Sequence, residues 1–314
     1  MPDAIQPQSF SHLAKKLLAG GAAGCCAKTA VAPLDRIKIL LQGHNHHYKH
    51  LGVVSSLRQV KNKEGFFSLY KGNGVHMLRV FPYAAIQFTS FDIFYKGLRN
   101  LYGDDHIHLI RLTAGAVAGP TAVLFTYPLD FVRARLAFQV SGEHIYTGLV
   151  DALRSITSQE GGVRALYRGI VPSLLGMVPY AGTSFYSFET LKDLSLKNFP
   201  DYVARPSSTN PDKLVLIMPA KVVFGGIAGA MGQTLAYPLD VVRRRVQLAR
   251  MLPDSDKYRR RWYQILIMIY KEDGVPRGLY RGMSINYLRG APMYAVSFTM
   301  NEILKEMFGL DTSS

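Results

Sequence analysis

The sequence predicts an all-α membrane protein with six spanning helices, arranged as three tandem repeats of roughly 100 residues. Three observations predict it. PLD followed by a base three residues on occurs at Pro33, Pro128 and Pro238. Each copy follows a run of small residues, and a second apolar segment comes after a polar stretch. The third is composition. The chain is 48% apolar yet carries a formal charge of +15, and its mean hydropathy is +0.06. That value is too polar for a bundle bathed in lipid and too apolar for an ordinary basic soluble protein. A membrane protein enclosing a wet, charged interior accounts for it. The basic excess itself has two compatible readings, retention of Lys and Arg in loops on one side of a membrane and attraction of anionic substrates.

Residues 1–12 form a tail with no apolar core of 7–15 residues, so they are no secretory signal, and they lack the Arg-rich look of a cleaved transit peptide. The first repeat spans 13–99. Its small-residue run, AGGAAG from Ala19, places Gly20 and Gly24 on one helical face, a spacing that lets membrane helices approach closely; Gly115/Gly119 and Gly225/Gly229 repeat it. Cys25 and Cys26 are adjacent, point about 100° apart on a helix and are read as packing residues. HNHHYKH (44–50) lacks thiolates and carboxylates and is read as a solvated loop rather than a metal site. The polar stretches carry a second echo: EGFFSLYKG, EGGVRALYRG and EDGVPRGLYRG, ending at Gly72, Gly169 and Gly282. The second repeat spans 107–194, a polar linker 195–216, the third repeat 217–308 and a tail 309–314. One helix before and one after each echo give six spans, with both termini on one side. A stack of soluble helical repeats would explain the period but not the charges within apolar segments.

Proline removes a backbone donor, and a charge inside a span is expensive enough to mark a functional path. Prolines in the first, third and fifth long helices can draw three helix ends together. Asp35, Asp130 and Asp240 lie two residues past them, and Lys38, Arg133 and Arg243 three residues further, near the same face. Each acid can meet a neighbouring helix's base rather than its own. Three further cations sit amid apolar neighbours: Lys28, seven residues before Asp35, Arg79 in HMLRVFPY and Arg289 in NYLRGAP. Snorkelling to an interface is their alternative; converging on one cavity, they suit a polyanion.

The triplicated P-x-D-x-x-[KR] and acid-Gly…[YF]-[KR]-Gly pattern resembles the mitochondrial carrier family over nearly the whole chain. The resemblance implies a threefold pseudosymmetric barrel with short matrix helices. It implies an alternating-access transporter, monomeric and multi-pass in the mitochondrial inner membrane, with both termini toward the intermembrane space. It pairs Asp35 with Arg133, Asp130 with Arg243 and Asp240 with Lys38 in a matrix gate. Glutamines nine residues after the prolines, Gln42 and Gln247, brace that ring; Ala137 stands where the second repeat's brace belongs, which softens the gate unless Gln139 reaches it. A cytoplasmic gate of aromatic-acid-x-x-base motifs reads as FETLK in the second repeat (Glu189, Lys192). Tyr95 replaces the base in FDIFY (Asp92), and Asn301 the aromatic in NEILK (Glu302, Lys305). The YKG and YRG turns open helices whose free N–H groups suit phosphate. With Lys71, Gly72, Arg168, Gly169, Arg281 and Gly282 they are expected to hold cardiolipin, ordinary capping being the alternative.

For the substrate, the family's three contact positions fall near Arg79, Gly176–Met177 and Arg289 or Gly290. A Gly followed by an aliphatic residue is typical of carriers of adenine compounds. Met177 would pack on the base, Gly176 leave it room and Tyr180 stack. AKTAVAPLDR resembles the ADP/ATP carriers, but their arginine-rich run is replaced by VVRRRVQ. CCAKTAVAPLDR, HNHHYKHLGV, YKGNG and ARPSSTNP resemble instead the group associated with coenzyme A. The expected substrate is therefore coenzyme A or a precursor such as dephospho-coenzyme A; the alternative is an adenine-nucleotide exchanger. No nucleophile–base–acid set, metal cluster or phosphate loop suggests an enzyme, and no cofactor, metal or nucleic acid is implied. A channel or receptor without coupled exchange is the remaining class, disfavoured because a pore needs no paired gates.

Overall fold

The computed structural model describes residues 10–103, 106–142, 145–206, 214–252 and 255–309. Residues 1–9 of the expected N-terminal tail, 310–314 of the C-terminal tail and 207–213 of the linker lie outside them. Six long helices dominate: α1 (Phe10–Gln42), α3 (Asn73–Tyr102), α4 (Ile107–Phe138), α6 (Ile170–Asn198), α8 (Met218–Leu248) and α10 (Met283–Met307). All exceed the ~20 residues needed to cross a ~30 Å hydrocarbon layer. Two segments, Leu109–Phe138 and Met218–Met251, are also apolar enough to be read as spans from composition; the other four long helices carry more charge or less apolar residue. Pro33, Pro128 and Pro238 lie inside continuous helix. A helix that runs on through proline needs neighbours to satisfy the freed carbonyl.

Three short amphipathic helices occupy the polar stretches: α2 (Val53–Glu64), α5 (Leu149–Gln159) and α9 (Trp262–Gly274). Each buries two positions four apart: Ser56 and Val60, Ala152 and Ile156, Ile265 and Ile269. That spacing lies on one face of a helix, so the three repeats solve this packing problem identically. The turn glycines are equally regular. Gly72, Gly169 and Gly282 have φ of 82°, 84° and 79°, a left-handed conformation that a side chain disfavours. At Gly72 a Cβ would also stand 3.0 Å from the Arg133 carbonyl oxygen.

The helices between these elements depart from expectation at the linker. It is not simply a polar loop: α6 runs on to Asn198, α7 (Pro200–Val203) follows, and β1 (Ala204–Pro206) pairs antiparallel with β2 (Leu214–Leu216). The apolar LVL run explains the strand, with Leu216 buried. The helix contacts also shift from the expected small pairs. On α1 the pressing contact is at Gly21, where a Cβ would lie 2.3 Å from the Phe81 ring, although a Cβ at Gly24 would also meet Val80, at 3.6 Å. On α8 it is Gly232, beside Ser184 and the Tyr180 carbonyl.

The described residues form two compact units. One holds α1 to α5 with 247–252, 255 and 284–309, the other the described residues within Gly169–Val246 and Asp256–Met283. In the first, α3 lies along α4 and α1 packs on both. In the second, Tyr237, Val241 and Val242 of α8 pack on Ile265 and Ile269 of α9 and on Leu279. Polarity is inverted relative to a water-soluble domain. The bulkiest fully buried side chains include Arg36, Arg135 and Arg245, while Phe88, Ile93, Leu112, Leu124 and Phe125 are exposed. A protein solvated by hydrocarbon places its charges that way, inward and paired.

Candidate functional site

Two aspartates of the proline motifs organise the first unit. Asp35, buried on α1, accepts from Arg133 Nη2 at 2.7 Å and from Arg289 Nη1 at 2.8 Å, one bond to each carboxylate oxygen. Asp35 and Arg133 are two residues that the family resemblance pairs. Arg133 also donates to His76 Nε2 at 3.3 Å, and His76 Nδ1 stands 3.9 Å from Asp35. Asp130, on α4, accepts from Arg79 Nη1 at 2.8 Å and from Gln247 Nε2 at 3.3 Å. Gln247 also donates to the Tyr127 hydroxyl at 3.0 Å. Arg79 stacks over the Tyr83 ring at 5.3 Å. Lys38 is in this unit; Asp240 and Arg243 are on α8 in the other.

The cations singled out for a polyanion are thus not idle. Arg79 and Arg289 hold Asp130 and Asp35, while Lys28 lies on the same unit with its Nζ 3.4 Å from Met293 Sδ. Their side chains remain 17% and 25% exposed against 2% and 6% for Asp130 and Asp35. Each pair therefore has a buried acid and a base that solvent or a ligand can reach. Gly176, Met177 and Tyr180 lie on α6 in the second unit, where a Cβ at position 176 would make ordinary contact with Leu239, and Tyr180 is exposed.

Other assigned residues stand differently from the sequence reading. Gln139 does not reach the ring: its Oε1 accepts from the backbone of Ile145 and Tyr146 and its Nε2 donates to the Tyr146 carbonyl, pinning the loop after α4. It sits two residues past Ala137, at the end of the helix, where loop amides are nearer than the ring. Lys192 bonds Glu189 of its own helix at 2.8 Å, both side chains 37% exposed. Tyr95 stacks on Phe91, ring centroids 5.9 Å apart. Among the described residues Asp92, Glu302 and Lys305 make no ion pair. Lys71 and Arg168, assigned to lipid, fold onto Glu64 at 3.1 Å and Glu160 at 3.0 Å. Those two pairs consume charge that a headgroup would otherwise meet, leaving the αL turns and the helix amides behind them. Among the described residues no His/Cys/Asp/Glu cluster is placed to hold a metal, and Cys25 and Cys26 are free thiols.

What the sequence reading missed is the acid of the second echo and its buried partner. Arg36 donates to Glu64 at 2.8 Å, to the Ser68 carbonyl at 2.6 Å, and to the Ala137 and Gln139 carbonyls at 3.1 and 2.8 Å. Arg135 binds both oxygens of Glu160, the Tyr146 hydroxyl and, at 3.1 Å, the Gln247 carbonyl. Arg245 binds Asp273 at 2.6 Å. Burial alone would raise the Glu64 carboxyl, but hydrogen bonds from Arg36, Lys71 and Tyr48 hold it below the usual range. Burial, then the Glu64 charge, pushes the Tyr48 phenol up. The signal was present: an acid before glycine recurs in every echo, and in the second and third repeats a buried arginine stands seven residues past the proline. In the first repeat it was hidden because Arg36 works from one helical turn before the position of Arg135 and Arg245, where Leu40 stands.

Long helices with paired charges inside and apolar side chains outside, three times over, define a membrane solute carrier rather than an enzyme. The family profile described as "Mitochondrial carrier protein" matches residues 9–101, 106–199 and 216–312, and the chain belongs to that family, with its all-α three-repeat fold. Its members are transporters. The chain is similar to human solute carrier family 25 member 16, 53% identical over 95% of this chain and 89% of that protein. It is 39% identical to the mitochondrial carrier protein CoAc1 of Zea mays, over 95% and 88%, and to a mitochondrial coenzyme A transporter of Danio rerio, over 98% and 94%.

Proposed function

We propose that this chain carries an adenine-containing polyanion, coenzyme A foremost, across the mitochondrial inner membrane by alternating access. The observation that carries the reading is the double latch: reachable Arg79 and Arg289 hold the buried Asp130 and Asp35 at 2.8 Å. A ligand bearing several phosphate charges competes for both guanidiniums. Drawing them off removes a partner from two gate acids at once, so loading the site loosens the gate beneath it. Only a ligand that interacts more strongly with the intermediate than with the resting state lowers the barrier between them, and a polyanion bridging Lys28, Arg79 and Arg289 meets that requirement. We assign Gly176, Met177 and Tyr180 to the adenine ring. The gate's members are Asp35, Lys38, Asp130, Arg133, Asp240 and Arg243, with Gln42 and Gln247 as braces. A relative named as a mitochondrial coenzyme A transporter supports the substrate class.

The test is reconstitution into liposomes with labelled coenzyme A, dephospho-coenzyme A, ATP and ADP, together with thermal protection of the purified protein. Coenzyme A is expected to be taken up and to protect, and Arg79→Ala to abolish the protection. Equal protection by ATP and ADP moves the reading to a general adenine-nucleotide carrier; protection by a dicarboxylate alone removes the adenine assignment.

A further inference from the structure

We propose that a water molecule bound beside Asp35 and Arg133 takes the place of a tyrosine–glutamine pair, making the junction of the first and second repeats the seam at which the gate opens. The inference rests on reading the aspartate ring as a gate. At the junction of the second and third repeats the residue before the proline meets the residue nine past the next proline. Tyr127 donates its hydroxyl to the Arg168 carbonyl at 3.0 Å and accepts from Gln247 Nε2, which also reaches Asp130. A side-chain tether thereby spans the junction and ends on the gate acid. The first and third repeats carry the same two residue types in register, Gln42 and Tyr237.

The first junction lacks both partners. Ala32 precedes Pro33, and Ala137 stands nine residues past Pro128. Losing one side chain would strand the other's polar group; losing both leaves space. The space is present as a cavity lined by Ala32, Asp35, Gly72, Asn73, Arg133 and Ala137. Ile39 and the two alanines make much of its wall apolar, but Asp35, Asn73 and Arg133 also line it, and a small space with several polar partners can hold a water where a purely apolar void stays empty. Asn73 supplies the second observation. The residue is 8% exposed, its amide nitrogen donates to Thr29 Oγ1 at 3.1 Å, and its Oδ1 has no donor among the described residues. A water there donates to Asn73 Oδ1 and to the Asp35 carboxylate while accepting from Arg133, which satisfies a buried acceptor that is otherwise costly. The space suits a single water rather than a larger solute. Unlike glutamine, a water has no covalent tether to either repeat and exchanges freely, so this junction yields before the tethered one.

The experiment is a double-mutant cycle in the full-length protein. Ala32→Tyr, Ala137→Gln and the double variant are compared by thermal unfolding in detergent and by initial uptake rate in liposomes. The double variant is expected to gain about 2–4 °C in Tm beyond the sum of the singles and to transport more slowly, because hydroxyl and amide need each other. Single effects that merely add, or a folded double variant with no gain, overturn the proposal. Should Tyr at position 32 prevent folding, Gln247→Ala decides: creating a second untethered junction is expected to lower Tm and speed uptake, and an unchanged Tm overturns the proposal. A double variant that gains stability while no adenine compound is transported keeps the seam and removes the substrate reading.

Discussion

Replacing Arg36 tests the buried arginine clusters directly. The side chain is fully buried and satisfies four acceptors on three segments: Glu64, the Ser68 carbonyl, and the Ala137 and Gln139 carbonyls at the end of α4. Hydrogen bonds to a charged group contribute about 1.5–3 kcal/mol each, but they share one guanidinium and do not add. Truncating one partner of a buried ion pair costs about 3–5 kcal/mol. Glu64 keeps Lys71 at 3.1 Å and the Tyr48 hydroxyl at 3.0 Å, which places Arg36→Ala at the lower end, ~3 kcal/mol. At 2–4 °C per kcal/mol, Tm falls by roughly 6–12 °C, read by thermal unfolding in detergent. Arg36→Lys keeps the charge but presents a compact ammonium in place of a planar fork, so about half the loss is expected to remain. An Arg36→Ala protein melting within about 2 °C of the parent, or a lysine variant indistinguishable from it, refutes the view that these arginines knit the helix ends together.

Three shorter tests follow from the same geometry. Asp35→Arg brings a third guanidinium to Arg133 and Arg289 and is expected to abolish uptake in liposomes; adding Arg133→Asp restores a pair in reversed order and recovers part of it, whereas equal inactivity of both variants dismisses the pairing as a gate element. Glu64 has a depressed carboxyl pKa, so its contribution to stability is complete above the ordinary glutamate value and is lost as pH falls through the folded-state value; Glu64→Gln is expected to lower Tm at pH 7 and to flatten the acid limb of Tm against pH, and a parallel acid limb would contradict this. Gly72→Ala is expected to lose about 1–2 kcal/mol from its left-handed φ alone, with more from the close Arg133 carbonyl, and an unchanged Tm counts against the tight turn.

Features that repeat were legible in the sequence. Glycine closing each YKG or YRG turn announces a left-handed residue before a helix, and the i, i+4 apolar pairs Ala152/Ile156 and Ile265/Ile269 announce α5 and α9. Register showed that each aspartate could meet a base on a neighbouring helix, and the family resemblance matched Asp35 with Arg133. What register does not carry is competition between partners. Nothing local says that Arg79 and Arg289 settle on Asp130 and Asp35, or that Lys192 prefers the glutamate one turn back to a base-seeking acid elsewhere. These choices depend on which buried acid lacks charge balance once the helices have met. Arg36 escaped for a different reason: a base shifted by one helical turn presents the same face of α1 but breaks the sequence alignment of the repeats. The hairpin after α7 was masked by its polar flanks, since three apolar residues are too short a strand signal to stand out.

The direction in which the buried arginines point bears on how the chain is made. Arg36 of the first repeat closes on carbonyls of the second, at Ala137 and Gln139, and Arg135 of the second closes on the Gln247 carbonyl of the third. Each guanidinium reaches forward, to a stretch synthesised and threaded about a hundred residues later. Until that stretch arrives, the arginine can find its own repeat's acid but not the carbonyls that complete its coordination. A nascent or partly imported chain therefore carries unfinished charge at the edge of every repeat already in place, and the repeats mature in sequence, each waiting on its successor. Truncation after one repeat is accordingly expected to yield not a smaller stable domain but a fragment with an unsealed cationic end, the kind of intermediate that chaperones retain and proteases clear.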